Sequence, residues 1–277
     1  MFEISFHDET DASIVYKQLK NCFVKSDSSL SLHNEKICLE MHELKKIKQS
    51  MIETLRWFVK KKEQQRALSV LEHSFFYKDI EEQEQILSIL QSILNGERDD
   101  IPNLPSLVER DQTLIKSLHL LLENPVSFSF ESVLTFRLKH YFDSLYQFIE
   151  AAIDEYKMEQ EYQAFIQQLR EVLFSAESKL DEVHLVYETH FEFYDSQQNY
   201  LSKDHLKKYI NRTHFNNYAF YIDSVVLAPL VSIAPKKLYL YTDHVDHQLV
   251  QTIRNIFQER ATIKPYQHFP LKKMKVE

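Results

Sequence analysis

The chain has 277 residues, 44% of them hydrophobic and 27% charged, and a formal net charge of −8. That length supports one large domain or two small ones, and the composition argues against extensive disorder. The acidic balance disfavours whole-surface binding to nucleic acid or anionic lipid. A single glycine, Gly96, excludes phosphate-binding P-loops, dinucleotide fingerprints and the GxSxG elbow, which need glycine where a side chain would clash or φ must be positive.

Phe2, Ile4 and Phe6 alternate with polar residues, as in a half-buried strand. Thr10-Asp11 then offers a helix N-cap, and Ile14, Val15, Leu19 and Phe23 follow at helical spacing. Leu30, Leu32, Ile37 and Leu39 suggest a hairpin turning at His33-Asn34-Glu35. Over 43–95 the period is helical. Leu44, Ile47, Met51, Leu55, Phe58 and Val59 form one stripe, and Leu68, Leu71 and Phe75 form another. Ile86, Leu87, Leu90, Ile93 and Leu94 make a third, ended by Asn95-Gly96 as a helix C-cap.

Residues 97–105 are polar, hold two prolines and read as a linker. A helix over 107–123 is stopped by Asn124-Pro125. A long helical stretch over 131–174 carries the polar patch 157–160, where a bend is expected. Beyond Ser175 strands and helices alternate. Residues 183–187 and 191–193 suggest a hairpin, 195–199 a turn, and 202–210 and 218–231 helices. Leu238-Tyr239-Leu240-Tyr241 reads as a buried strand, Asp246 as the cap of a helix to Phe257, and 261–266 as a closing strand, a plausible βαβ unit.

The fold class is therefore α+β: a mostly helical N-terminal region and long central helix, with a C-terminal α/β portion containing a small mixed sheet. The expected divisions are 1–96, a linker and helix over 97–130, and 131–277.

Four groups of residues could carry chemistry. Glu150, Asp154, Glu155, Glu159 and Glu161 fall four apart in two pairs on helix faces, where carboxylates could hold a divalent metal. No Glu-x-x-His pair accompanies them, so a solvated acidic face is the favoured reading. Asp243, His244, Asp246 and His247 form the densest set of metal-ligand types, at the carboxyl end of an expected parallel strand. Between Lys36 and Arg66 there are nine Lys or Arg against four Glu. Lys45, Lys46, Lys48, Arg56, Lys60, Lys61, Lys62 and Arg66 could meet a phosphate backbone, although Trp57 and Phe58 continue the apolar stripe and are expected in the core. Cys22 and Cys38 lie in apolar surroundings, where a thiol is usually inert.

Two cysteines cannot form a disulfide framework, and no CxxC is present. The acidic start lacks the features of a signal peptide, and the most apolar stretch, 225–234, is short and interrupted by Pro229 and Ser232. A cytoplasmic protein is expected, with no cofactor.

The run FRLKHYFDSLYQFIEAAIDEYKMEQEYQAFIQQLREVL at 136–173 resembles the YtxC-like family, described as sporulation proteins of endospore-forming bacteria. VHLVYE at 183–188, SVVLAPLVSIAPKKLYLY at 224–241 and TIRNIFQERATI at 252–263 continue it in order, so the resemblance covers about 131–264. Residues 1–130 carry no such likeness. The resemblance implies a sporulation setting and no particular activity. It also implies a cysteine-containing tail after Ile263, whereas this chain reads KPYQHFPLKKMKVE there, without cysteine. The expected function is a non-enzymatic interaction protein with a protein partner. The alternatives are a nucleic-acid-binding regulator using the basic helix 45–66 and a metal-dependent enzyme at 243–247.

Overall fold

The computed structural model describes residues 1–22, 30–123, 126–210 and 225–270, with backbone alone at residue 22 and 41–45. The expected placements of Phe23, of the stop at Asn124-Pro125, of 218–224, and of the Cys22, Leu44 and Lys45 side chains fall outside what is described.

The chain forms two compact units, Met1–Met158 and Glu159–Glu277. The boundary lies in the polar patch 157–160. The stretch 97–105 lies inside the first unit: Arg98 pairs with Glu155, and Ile101 and Leu104 pack against the apolar cluster around Phe148.

In the first unit, β1 (Phe2–Ser5) lies between β3 (Lys36–Leu39), antiparallel, and β4 (Phe128–Ser129), parallel; β2 (Leu30–His33) completes the order β2-β3-β1-β4. Registers such as Phe2↔Leu39 and Ile4↔Ile37 place the apolar residues on one face. That face and α1 (Glu9–Cys22) share one core with α2 (Met41–His73), α4 (Leu107–Leu121), α5 (Phe130–Ser132) and the start of α6 (Lys139–Ser175). Phe58, Phe6 and Phe130 meet there, with ring centroids 5.1–5.8 Å apart. Burying each such ring contributes about 1.5–3 kcal/mol. The end of α2, α3 (Ile80–Leu94) and the middle of α6 close a second cluster around Ala67, Leu71, Ile86, Leu90 and Phe148.

Several local expectations differ. Asp8, two residues before Thr10, caps α1: its carboxylate accepts from the Asp11 amide at 2.7 Å. Trp57 and Leu68 are 42% and 38% exposed, because the buried stripe of α2 runs through Met51, Leu55, Phe58, Val59, Ala67 and Leu71. The helix α6 continues without a break through 157–160. The irregularity comes earlier, as a π-helical turn over Val133–Arg137 closed by the Leu138 amide on the Val133 carbonyl. The strand β4 has two residues and no alternation to read.

In the second unit, β5 (Glu182–Tyr187), β7 (Lys237–Tyr241) and β8 (Ala261–Lys264) are parallel, and β6 (Phe191–Asp195) pairs antiparallel to β5, giving β6-β5-β7-β8. The helix α9 (Gln248–Phe257) makes the expected βαβ crossover between β7 and β8. One sheet face (Val183, Leu185, Phe193, Leu238, Leu240) packs with α8 (Leu227–Ile233), α9, Leu206 of α7 (Lys203–Tyr209) and the end of α6. The other face carries His184, Tyr194, Tyr239 and Tyr241, with Phe269 packed on Tyr241 and Val186. His247, rather than Asp246, caps α9 by accepting the Leu249 amide on Nδ1.

Candidate functional site

Three cations of the basic helix are paired within its own unit. Arg56 binds Asp111 through two hydrogen bonds of 3.1 and 2.7 Å, Lys60 reaches the same carboxylate at 3.0 Å, and Lys62 pairs with Asp11. Burial opposes ionisation of Asp111, but the bonds from Lys60 and Arg56 outweigh it and hold the carboxyl below its usual range. Lys61 lies over the Trp57 ring at 5.7 Å, and Lys46 has an interaction of its own. Lys48 and Arg66 complete the described members of the set.

Below that helix lies a charged group the sequence reading passed over. Glu63 and Arg110 are each 8% exposed, and Arg110 Nη2 donates to Glu63 Oε1 at 2.6 Å. The Tyr141 hydroxyl donates to the same oxygen, Arg110 Nε donates to Ser144 Oγ at 3.1 Å, and the guanidinium lies 3.9 Å from the Tyr141 ring centroid. Burial, then the Glu63 charge, pushes the Tyr141 hydroxyl well above its usual range. A signal was present. Glu63 stands four residues from both Val59 and Ala67, and Arg110 four before Leu114, so each interrupts an apolar stripe. These groups line a polar cavity of about 760 Å³ with Lys60, Lys61 and Glu84.

The corner between α2 and α3 differs in kind. The end of α2 is closed by Ser74 and Phe75 amides on the Val70 carbonyl and by the Tyr77 amide on Leu71. This closure puts Phe76 at φ +61° with its side chain 74% exposed, and Ile80 nearby is 69% exposed. A positive φ places Cβ against the following carbonyl, which glycine alone avoids. Phe75 packs on Tyr146 at 5.2 Å, and Tyr77 meets Tyr156 edge-on at 6.2 Å. Phe75 and Tyr77 also form the wall of a cavity of about 330 Å³ completed by Glu150, Ile153, Asp154 and Lys157 of α6.

The acidic cluster is thereby divided. Glu155 is taken by Arg98, and Glu159, in the second unit, accepts from Gln163 at 2.7 Å. Glu150 and Asp154 face the cavity, and neither has a hydrogen-bond or ion-pair partner among the described residues.

In the second unit the His/Asp set is engaged locally. His244 and His247 both lie against the Tyr187 ring, at 5.9 and 4.6 Å. Asp243 accepts the Tyr266 amide at 3.2 Å, and His247 Nδ1 accepts the cap. A histidine ligating a metal through Nε2 carries its proton on Nδ1, so ligation by Nε2 would cost His247 that cap. No group of three or more His, Cys, Asp or Glu side chains among the described residues is placed to hold a metal ion.

A second unread group is Glu182–His184–Tyr241. His184, 7% exposed, bonds Glu182 at 2.9 Å through Nε2 and the Tyr241 hydroxyl at 3.1 Å through Nδ1, and stacks on Tyr239. Burial raises the Tyr241 hydroxyl above its usual range. Both imidazole nitrogens have partners, and the bond to Tyr241 ties β5 to β7.

No helix among the described residues is long and apolar enough to cross a membrane. The YtxC-like family model matches residues 47–262, reaching back through α2, α3 and α4 beyond the stretch where the resemblance was read. An uncharacterized protein YtxC of Bacillus subtilis (strain 168) is 36% identical over 271 residues, covering 97% of this chain and 96% of the relative. No solved structure matches. With the family model spanning most of the chain and a full-length relative at that identity, the chain belongs to the YtxC-like family.

Proposed function

We propose that this chain is a non-enzymatic interaction protein of the sporulation programme, acting in the cytoplasm by presenting the α2–α3 corner to a protein partner. The observation that carries the reading is Phe76. A large apolar side chain stands in solvent at a backbone position where glycine would be more stable by about 1 kcal/mol. Positive φ alone does not mark such a position, since Ala234 takes φ +51° while fully buried; it is the exposed aromatic ring held at a strained backbone that supports a partner-binding reading. The sporulation setting comes from the family resemblance, and a buried free Cys38 suits a reducing compartment.

Nucleic-acid binding by the basic helix has less support, since Arg56, Lys60 and Lys62 already hold carboxylates. Metal-dependent chemistry at 243–247 has less still, for the capping reason given above.

Quantitative mass spectrometry of proteins co-isolated with the full chain from sporulating cells tests the reading. A partner retained by the wild type and lost on Phe76→Gly, but not on Val245→Ser, a control in the second unit, is the expected result. A measured turnover by the purified chain, or co-isolated proteins unchanged by Phe76→Gly, would overturn it.

A further inference from the structure

We infer that the cavity formed by Phe75, Tyr77, Glu150, Ile153, Asp154 and Lys157 receives the cationic side chain, lysine or arginine, of the protein partner. The inference rests on the interaction reading above and assigns the corner its chemistry. At about 330 Å³ the cavity is at the small end of ligand sites and suits one side chain rather than a cofactor. Two rings form one wall, and aromatic faces attract ammonium and guanidinium groups. Glu150 and Asp154, four apart on α6, supply two carboxylates without partners.

Lys157 lines the same cavity and leaves its lining with a net charge of −1, from two carboxylates against one ammonium. It has no ion-pair partner among the described residues, so its charge opposes an incoming cation without filling the place of one. Phe76 stands between the two wall residues in the chain and is 74% exposed. A free organic amine would use the carboxylates and rings alone, whereas a polypeptide carrying the cation also brings neighbouring residues to the exposed Phe76, which favours a side chain carried on a polypeptide. The larger cavity near Arg110 is set aside because its buried charges, Glu63 and Arg110, are already bound to each other.

The test is a titration of the ¹⁵N-labelled full chain with N-acetyl-lysine methylamide, N-acetyl-arginine methylamide and neutral N-acetyl-norleucine methylamide. Saturable shifts at the Tyr77, Ile153 and Asp154 amides are expected with the two cations, in roughly the millimolar range for a single contact. The E150Q/D154N variant should weaken binding about tenfold, the loss of one charge-assisted contact, while Lys157→Met should strengthen it. Equal binding of the norleucine compound, no shift with any probe, or affinity untouched in E150Q/D154N would each overturn the assignment. A lysine-centred alanine pentapeptide should bind at least as tightly as n-butylammonium; butylammonium binding with the peptide excluded would overturn the assignment to a partner's side chain. Partner capture separates the two claims. Loss on Phe76→Gly with no loss in E150Q/D154N leaves the interaction reading standing and ends this one.

Discussion

The helices α2 and α3 are each followed by a residue at positive φ, and the two residues are opposite in kind. At the end of α3 the amides of Gly96 and Glu97 return to the Ile93 and Ser92 carbonyls, and Gly96 takes φ +75°, with the nearest neighbour to an added Cβ 3.8 Å away. After α2 the left-handed residue is Phe76, three positions beyond His73, at φ +61° and 74% exposed. The chain has one glycine and uses it at the first of these bends. Local stability accounts for Gly96; Phe76 shares its positive φ with Asn34, Asn103, Gln198, Ala234 and Gln258 and is set apart by its exposed ring. The same contrast separates the interior of the first unit from its corner: Glu63, Arg110 and Tyr141 satisfy one another, whereas Glu150 and Asp154 satisfy nothing within the described structure.

The largest effect should come from breaking the satisfied interior. Arg110→Met leaves Glu63 buried without its counter-charge, and chemical denaturation should show a loss of about 3–5 kcal/mol. A loss near zero would show that the group is not the closed network described. By contrast, E150Q/D154N should leave stability within about 0.5 kcal/mol, because exposed carboxylates without partners contribute little.

The next effects form a mirror pair at the two bends. Gly96→Ala should destabilise by about 1 kcal/mol, because alanine resists the left-handed backbone while its Cβ meets no clash. Phe76→Gly should be neutral or stabilising by up to about 1 kcal/mol, since relief of strain outweighs the little packing an exposed ring can lose. If Phe76→Gly destabilised as much as Gly96→Ala, the ring would be a packing residue and the contrast would fail.

The smallest effect concerns the basic helix. Asp111 ionises below its usual range in the folded chain, so its contribution is present above the unfolded carboxylate value near 3.9 and is lost as pH falls through the lower folded value. Thermal stability of Asp111→Asn should therefore converge on wild type at low pH and lie slightly below it at neutral pH. A gap that stays constant across that range would mean the pairing with Arg56 and Lys60 is not what Asp111 contributes.

Much of this architecture was legible. Gly96 as a C-cap, the Asn34 hairpin and the βαβ unit followed from turn chemistry and period, because each is decided by residues close in the chain. The α2 stripe was read well except at Trp57 and Leu68, which lie off its buried face. The caps at Asp8 and His247 were misplaced by one or two residues, since several neighbours there could accept the same amides. The site was less legible. Glu63 and Arg110 read as surface charge within polar runs, although each broke an apolar stripe. Phe76 gave no signal, because Phe75-Phe76-Tyr77 looks like the end of a core stripe until the backbone puts the middle ring at positive φ. Glu150 and Asp154 were visible as a pair on one helix face, but the rings opposite them come from residues about 75 positions earlier.

The most direct measurement is Phe76→Gly examined twice on the same purified full-length chain, by thermal denaturation and by partner retention in extracts of sporulating cells. The expected result is a melting transition unchanged or raised by about 2–4 °C, together with retention lowered about tenfold or more, the mark of a binding hot spot. Retention that is unchanged, or that falls only in step with lost stability, would contradict the claim that the α2–α3 corner is held strained and exposed for a partner.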